Sequence, residues 1–390
     1  MSAAGLRIAM VCPYSLARPG GVQGQVVGLS RSLRARGHHV TVVAPDVEPD
    51  ASATDGRSPG HRGGSEPGDV VTAGKSWSLP ANGSRAPVAL SPLAAARVAR
   101  LLGRGRFDVA HLHEPLAPVV GYGCLLHPGV PMVGTFHRSG GTPLAPLLRP
   151  VTRRVLNRLS ARVAVSEQAA ATARSLAPGR YEVLFNGVEV DRFASAPPWP
   201  TTGPTVLFLG RHERRKGLGV LLDAFEQVAG ATLWVAGDGP DTAELRRRHP
   251  PSSRVQWLGL LAGDEVASRL SGADVLCAPS LYGESFGMVL LEAMAARCAV
   301  VASDIPGYRE AAGGHAVLVR PGDPAAWTGA LAQAVEDAVR GEGACSTSTL
   351  VAASAHAEQW SMDRLTDRYE AIYEAICEAV SHPSGGLAPG

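Results

Sequence analysis

Gly283-Glu-Ser-Phe-Gly-Met-Val-Leu-Leu-Glu-Ala-Met-Ala-Ala296 is the stretch whose reading decides the fold. It follows the apolar run Asp274-Val-Leu-Cys-Ala-Pro-Ser280, which reads as a buried parallel strand ending at Pro279 and Ser280. Beyond Gly287, residues Met288, Leu290, Leu291, Met294 and Ala295 recur at helical spacing, so a strand passes into a helix here. The turn Ser285-Phe286-Gly287 therefore offers free backbone N–H groups and the positive end of a helix dipole, a ready anion site. Glu284 lies just before that turn and Glu292 two helical turns further in. A carboxylate repels phosphate, but it accepts hydrogen bonds from vicinal hydroxyls, as acidic residues do on ribose. A phosphate-holding helix start between two diol-gripping carboxylates suits a nucleotide sugar. The plainer reading is one more helix of an α/β sheet, with Glu292 solvated and Glu284 a turn residue.

Working outward, a chain of 390 residues is long enough for two domains, each with its own core. A formal net charge of +2 leaves no nucleic-acid footprint. No apolar run reaches the ~18 residues of a transmembrane helix, and Met1 leads straight into the first strand without a signal peptide. This places the protein in the cytoplasm. Cys12, Cys124, Cys277, Cys298, Cys345 and Cys377 form no C-x-x-C pair, and several sit in apolar runs, as reduced buried cysteines do. Disulfides and zinc are not expected. The only lysines are Lys75 and Lys216; in an Arg-rich chain, a retained lysine hints at a site that wants a compact ammonium.

The first half opens as a Rossmann-type unit. Leu6–Val11 reads as a strand, Cys12–Gly21 as a loop, Val22–Arg36 as a helix stopped by Gly37, and His39–Ala44 as the next strand. Its loop lacks G-x-G-x-x-G; Gly20 and Gly21 instead strip side chains from a helix start, so a ligand can approach the backbone. Asp46–Asp69 reads as a solvated, disordered loop. Val70–Leu79 and the Asn82-Gly83 turn read as short strands meeting at a hairpin. Leu90–Arg106 and Leu147–Arg162 read as Arg-rich helices. Either could meet anionic lipid head groups, although arginines on a helix are also what any solvated face looks like. Phe107–His113 and Val130–Phe136 are strands, the second ending at His137, and Ala161–Ser166 closes the sheet.

The Pro-rich Ala194–Pro204 stretch reads as the linker. Strands Thr205–Gly210, Ala231–Gly237, Val255–Gly259, Val275–Ala278, Ala299–Ser303 and Ala316–Val319 then alternate with helices, a second doubly wound sheet. Gly341–Ala355 reads as a small-residue loop and Trp360–Val380 as a last helix. The expected fold class is α/β: two Rossmann-like doubly wound domains facing across a cleft, with the C-terminal helix crossing back to the first. The expected boundaries are 1–180, 181–366 and 367–390. In such folds the ligand lies at the carboxyl ends of the strands. Breaking a sugar–diphosphate bond puts negative charge on the leaving group. With no D-x-D to carry a divalent ion, fixed cations must hold it, and Arg211 and Lys216 in Gly210-Arg-His-Glu-Arg-Arg-Lys-Gly217 can supply them. A solvated basic cluster is the competing reading of that segment.

The E-x7-E spacing inside Gly-Glu-Ser-Phe-Gly resembles the donor-site signature of retaining GT-B glycosyltransferases, in particular glycosyltransferase family 4. The resemblance implies that Glu284 contacts the transferred sugar, that Glu292 contacts the ribose, and that Ser285, Phe286 and Gly287 hold the diphosphate. Gly237 is counted with them. It further implies that His137, in Thr135-Phe-His137, reaches the transferred sugar largely through its carbonyl and ring. No general base or nucleophile is implied, and no metal or other cofactor. The retaining displacement would have the departing phosphate take the acceptor proton.

Met10-Val-Cys-Pro-Tyr-Ser15, Pro19-Gly-Gly-Val-Gln23, Gly74-Lys75, Asn82-Gly-Ser84, Phe107-Asp108 and His113-Glu-Pro115 are similar to motifs of the actinobacterial phosphatidylinositol mannosyltransferases within that family. This implies GDP-mannose as donor and an inositol lipid as acceptor at the inner face of the cell membrane. Gly21 and Gln23 would then lie at the donor and inositol site, with Tyr14 and Asn82 on the acceptor. The chain departs from that pattern at Arg85, Pro87, Ala89 and Leu116, and near the base at Gly263 and Val266. A UDP-sugar-dependent relative acting on inositol phosphate or another glycolipid is thus a second reading. A nucleotide-sugar-binding protein without turnover would require a lost site residue, and Arg211, Lys216 and Glu284 are all present. A nicotinamide dehydrogenase fails for want of G-x-G-x-x-G.

Overall fold

A computed structural model of the chain describes residues 5–16, 20–46, 70–75, 77–81, 84–88, 92–117, 120–125, 129–138, 145–261, 263–284 and 286–381. In chain order the elements run β1 (Arg7–Val11), α1 (Gly21–Ala35), β2 (His39–Asp46), β3 (Val70–Lys75), β4 (Trp77–Ala81), β5 (Ser84–Val88), α2 (Pro92–Arg104), β6 (Val109–His113), α3 (Val120–Leu125), β7 (Met132–Phe136), α4 (Ala145–Leu156), β8 (Ala161–Ala164), α5 (Glu167–Leu176) and β9 (Glu182–Val183). They continue with α6 (Val190–Ala194), β10 (Thr205–Leu209), α7 (Leu218–Phe225), β11 (Thr232–Ala236), α8 (Thr242–Arg248), β12 (Val255–Gly259), α9 (Asp264–Gly272), β13 (Val275–Ala278), α10 (Met288–Ala295), β14 (Ala299–Ser303), α11 (Pro306–Ala312), β15 (Val317–Val319), α12 (Pro324–Arg340), α13 (Thr347–Glu358) and α14 (Met362–Ser381).

Two compact units result, one of residues 1–187 with 362–390 and the other of residues 188–361. The first holds a parallel sheet in the order β3-β2-β1-β6-β7-β8-β9, the second a parallel sheet in the order β12-β11-β10-β13-β14-β15. Both are Rossmann-like α/β sheets. In each, the strand order reverses beside the first strand, between β1 and β6 and between β10 and β13. That reversal opens a crevice at the carboxyl ends, where such sheets take their ligands.

Strand alternation explains why helices cover both faces. On β1, Ala9 and Val11 join a core made with Ala94, Val98 and Leu102 of α2 and Ala169, Ala170 and Ala173 of α5. Ile8, Met10 and Cys12 point the other way, into a core with Val26, Leu29 and Leu33 of α1 and Leu365, Tyr369 and Tyr373 of α14. In the second unit, Val206 and Phe208 of β10 pack with Leu221, Leu222 and Phe225 of α7 and Trp327 of α12. A buried Leu or Phe in such a core contributes roughly 1.5–3 kcal/mol, so these stripes, rather than helix propensity, set the architecture.

Several expectations are corrected. The units divide at Gly187/Val188 and Ser361/Met362, not after residues 180 and 366. Gln25 of α1 grips Gly187 by donating to its carbonyl at 2.7 Å and accepting from its N–H at 2.8 Å, which holds the chain to the first unit through Gly187. The α14 helix belongs to that unit from its first turn, with Met362 and Leu365 buried beside α1 and Arg36 paired to Asp367 and Glu370 at 2.5 Å. Ala194–Pro204 is not the linker: the Trp199 N–H bonds the Ser268 carbonyl at 2.9 Å and the Arg269 guanidinium lies 3.8 Å over its ring. Within Gly341–Ala355, residues 347–355 are helical as part of α13, capped by Ser346, whose hydroxyl accepts from Thr349 N–H. Its Ala-rich sequence lacks an amphipathic stripe but favours helix by propensity. The α4 helix ends at Leu156, so Arg158 lies beyond it and Arg162 on β8. Strand β3 joins the main sheet in parallel, while β4 and β5 form the antiparallel hairpin. The expected loop lies outside the described residues from 47 to 69.

Candidate active site

Glycines bring the second unit's crevice together. The loop after β10 and the loop after β13 touch at Gly217, where an added Cβ would sit 1.9 Å from the Pro279 carbonyl oxygen. Gly217 also has φ +69°, a left-handed conformation that glycine takes without strain. The Leu281 N–H donates to the Arg215 carbonyl at 2.7 Å, a second tie between the loops. Lys216 is thereby set against Glu284: its ammonium lies 2.7 Å from Glu284 Oε1. Arg215 reaches the same oxygen at 2.8 Å and Glu213 at 2.6 Å, and the Ser280 hydroxyl donates to it at 3.2 Å. Burial works against the Glu284 charge, yet Lys216, Arg215 and Ser280 outweigh it and hold the carboxyl below its ordinary range.

At Gly287, φ is +119° and an added Cβ would meet Tyr308 at 2.7 Å. The α10 helix therefore starts with its N-terminal amides unshielded by a capping side chain, beside a carboxylate already neutralised by cations. Phe286 is buried against Trp360, ring centroids 4.8 Å apart, which leaves its backbone as the part available to a ligand. Two turns on, Glu292 is half-buried, and its carboxyl is pushed up to about 7 by burial, with Arg192 pulling down and Glu189 adding to the rise. Such a group can accept or donate to a diol near neutral pH. Arg211 is half-exposed and pairs with Glu213 at 3.5 Å; among the described residues no ion pair joins it to Glu284. Gly237 is required by the fold itself, since a Cβ there would sit 1.9 Å from the Gly210 carbonyl oxygen.

The first unit's crevice is built mainly from uncharged imidazoles and hydroxyls, around one carboxyl group, Glu114. His113 Nδ1 and His137 Nε2 lie 2.9 Å apart with their rings stacked at 5.1 Å. Glu114, at φ +49°, accepts from the backbone N–H groups of His137 and of Arg138, the latter at 2.8 Å. Burial lowers the His137 imidazole to about 4, with Asn186 opposing, so it is uncharged at neutral pH. An added Cβ at Gly21 would meet nothing within 4 Å, so packing gives no reason for a glycine there. Gln23 donates to the Ser15 carbonyl at 3.3 Å. Tyr14 is half-buried, its hydroxyl raised by burial and by the nearby Glu114. The structure thus brings Tyr14, Gly21, Gln23 and His137 to the β1, β6 and β7 ends of one unit, and Arg211, Lys216, Glu284 and Gly287 to the β10 and β13 ends of the other. Asn82 and Ser285 lie outside the described residues.

Two family profiles match: Glycosyltransferase Family 4 over residues 19–192 and glycosyl transferases group 1 over residues 203–337. A phosphatidyl-myo-inositol mannosyltransferase of Mycobacterium leprae is 40% identical over 339 residues, which is 84% of this chain and 86% of that protein. The chain belongs to glycosyltransferase family 4. It is a hexosyltransferase, built like other GT-B enzymes of that family. A D-inositol 3-phosphate glycosyltransferase of Mycolicibacterium paratuberculosis is 28% identical over 300 residues, 69% of this chain and 67% of that one. Among solved structures, a sucrose-phosphate synthase of Thermosynechococcus elongatus superposes with a TM-score of 0.69 at 19% identity, over 96% of this chain and 100% of the other.

Sequence reasoning missed several residues that the glycosyltransferase packs against the candidate ones. Arg215 was indistinguishable from Arg214 in a run of three cations, since only the turn geometry decides which one faces Glu284. Ser280 and Tyr308, joined at 2.8 Å, carried no signal beyond the strand end. His113 and Glu114 were visible only as part of a motif, although His-x-His on a strand puts both imidazoles on one face.

Proposed function

We propose that this glycosyltransferase moves mannose from GDP-mannose onto the inositol of a membrane phosphatidylinositol, with retention and without a metal ion. The observation that carries the reading is the likeness to the Mycobacterium leprae mannosyltransferase over 84% of this chain, on a chain whose second unit sets Lys216, Arg215 and Glu284 around the start of α10. In this reading the α10 amides and the cations at 215 and 216 take the diphosphate, with Arg211 beside them. In the second unit Glu284 takes the mannose hydroxyls and Glu292 takes the ribose; the assignment of the His137 carbonyl and ring to the transferred sugar follows the family likeness. The cations stabilise the charge that grows on the departing diphosphate, a term commonly worth several kcal/mol in barrier, and that phosphate accepts the proton of the incoming inositol hydroxyl. Gly21, Gln23, Tyr14 and Asn82 line the acceptor side.

Membrane contact is assigned to α2, which buries Ala94, Val98 and Leu102 while exposing Arg97, Arg100, Arg104 and Leu93, the last at 77%. Arginines beside an exposed apolar side chain suit an anionic lipid surface. Among the described residues no helix is long and apolar enough to cross a membrane, so the association would be peripheral, at the cytoplasmic face. A second reading, transfer from a UDP-sugar onto inositol phosphate, is favoured by Gly263 and Val266 at the start of α9 and by the likeness to the inositol phosphate enzyme. Incubation with GDP-mannose, UDP-glucose and UDP-N-acetylglucosamine, each with phosphatidylinositol vesicles or inositol phosphate, scores free nucleotide and separates the two. Release of GDP only with the lipid supports the first; release of UDP with inositol phosphate replaces it by the second.

A further inference from the structure

We propose that His113 is a positioning residue that fixes the tautomer of His137, so that His137 presents Nδ1 to the sugar as a hydrogen-bond acceptor. The inference rests on the assignment of His137 to the donor sugar and extends it to a residue to which the sequence motifs give no role. The starting point is the alternation on β6. Ala110 and Leu112 pack into the core beside α2 and α5, while Val109 packs into the core beside α1 and α14. His111 and His113 share that second face and are both buried.

Each partner of His113 restricts where its single proton can be. Its Nε2 lies 3.2 Å from the Met10 sulfur on the neighbouring strand β1. A thioether has lone pairs and no proton, so only an N–H at Nε2 makes that contact a hydrogen bond. Burial, with His111 and His137 adjacent, keeps the His113 imidazole neutral. One proton on Nε2 leaves Nδ1 bare, and a bare Nδ1 must accept. The atom 2.9 Å away is His137 Nε2, which therefore carries the proton of that ring. A neutral His137 protonated at Nε2 has its lone pair on Nδ1.

The ring of His113 is itself clamped. His111 stacks on it with centroids 4.4 Å apart, and His111 is held by the Tyr373 hydroxyl at 2.6 Å and the Thr135 hydroxyl at 2.7 Å. Thr135 is in turn 2.8 Å from the Tyr369 hydroxyl. Three adjacent strands and α14 thus hold one imidazole, and its half-buried neighbour His137 inherits the order. No proton is transferred in this scheme; His113 sets which nitrogen of His137 is the acceptor, and the Asn186 amide, which also bonds this ring, can meet a bare Nδ1 only as a donor through its NH2.

The direct test is nitrogen-15 NMR of the full chain with labelled histidine at pH 7.5, the His137 signals assigned by their loss in His137→Gln. The expected result is a protonated Nε2 and a bare Nδ1 in wild type; a proton on Nδ1 overturns the proposal. This arm needs no substrate, so it stands even if every donor tried is inert. In His113→Leu, of similar volume and agreeable to Met10, the His137 tautomer should become mixed and kcat/KM for the donor should fall about 10–100-fold, by analogy with loss of the partner that orients a metal-bound histidine. In His113→Asn the amide oxygen takes the place of Nδ1, so the Nε2 tautomer and most of the activity should return. Unchanged spectra and rates in His113→Leu, or equal losses in the two variants with wild-type tautomer in both, would contradict it.

Discussion

The two Rossmann-like units share one strand order and fill their crevices with opposite chemistry. In the second, Lys216, Arg215, Glu213 and Glu284 form an ion-paired cluster at the ends of β10 and β13. In the first, His111, His113, His137, Thr135, Tyr369 and Tyr373 form a neutral hydrogen-bonded network at the ends of β6 and β7. A topological switch point supplies only a place. What it binds is set by whether the side chains there carry charge: fixed cations suit a diphosphate, uncharged imidazoles and hydroxyls suit sugar hydroxyls.

The largest effect should come from the charged crevice. Lys216→Ala and Glu284→Ala are each expected to lower kcat by at least about 10²–10³-fold, with circular dichroism unchanged. Wild-type rates in either would remove the site assignment. Arg215→Ala should cost less, roughly tenfold, because Lys216 remains on the same carboxylate oxygen; a loss equal to that of Lys216→Ala would mean that the two cations act as a unit. His137→Ala, on the neutral side, should raise the donor KM and lower kcat while leaving GDP affinity alone, since the proposed function sets it against sugar hydroxyls and no phosphate. A loss of GDP affinity would erase the contrast between the units.

Acid should sharpen the contrast. Burial holds His111 to about 3 and His113 well below its ordinary range, whereas in the unfolded chain both bind protons near pH 6.5. The unfolded state therefore takes up more protons as pH falls below 6.5, and the first unit should lose about 1.4 kcal/mol per pH unit for each imidazole. Urea unfolding at pH 7.5, 6 and 5 checks this, and a flat profile would contradict it. Glu292 has the opposite sign. Its carboxyl is raised to about 7, so the folded state keeps a proton that the unfolded state has lost above about pH 4.5, and stability falls as pH climbs through that window. Glu292→Gln should thus raise Tm at pH 8 more than at pH 4, while weakening nucleotide binding by about tenfold, one good hydrogen bond. A nucleotide affinity left intact would take Glu292 off the ribose.

Much of this was legible in the sequence because parallel strands buried on both faces read as apolar runs and the helix after Gly287 has a clear period. The E-x7-E spacing located Glu284 and Glu292 on one strand–turn–helix unit. Composition misled at 347–355, where alanine and serine looked like a loop but form part of α13, and at Arg158 and Arg162, where a run of arginines concealed the end of α4. The unit boundary was hidden because it depends on Gln25 reaching across 162 positions to Gly187, a contact no local pattern encodes. His113 was hidden for the same reason: its role depends on a methionine from β1 and a histidine after β7.

The central claim is that fixed cations at β10 and β13, with no divalent ion, hold a nucleoside diphosphate. It is tested most directly by the melting temperature of wild type and Lys216→Ala with saturating GDP in excess EDTA. The account predicts a rise of several degrees in wild type that EDTA does not diminish and that Lys216→Ala abolishes. A rise that appears only with added magnesium or manganese, or that survives the loss of Lys216, would contradict it.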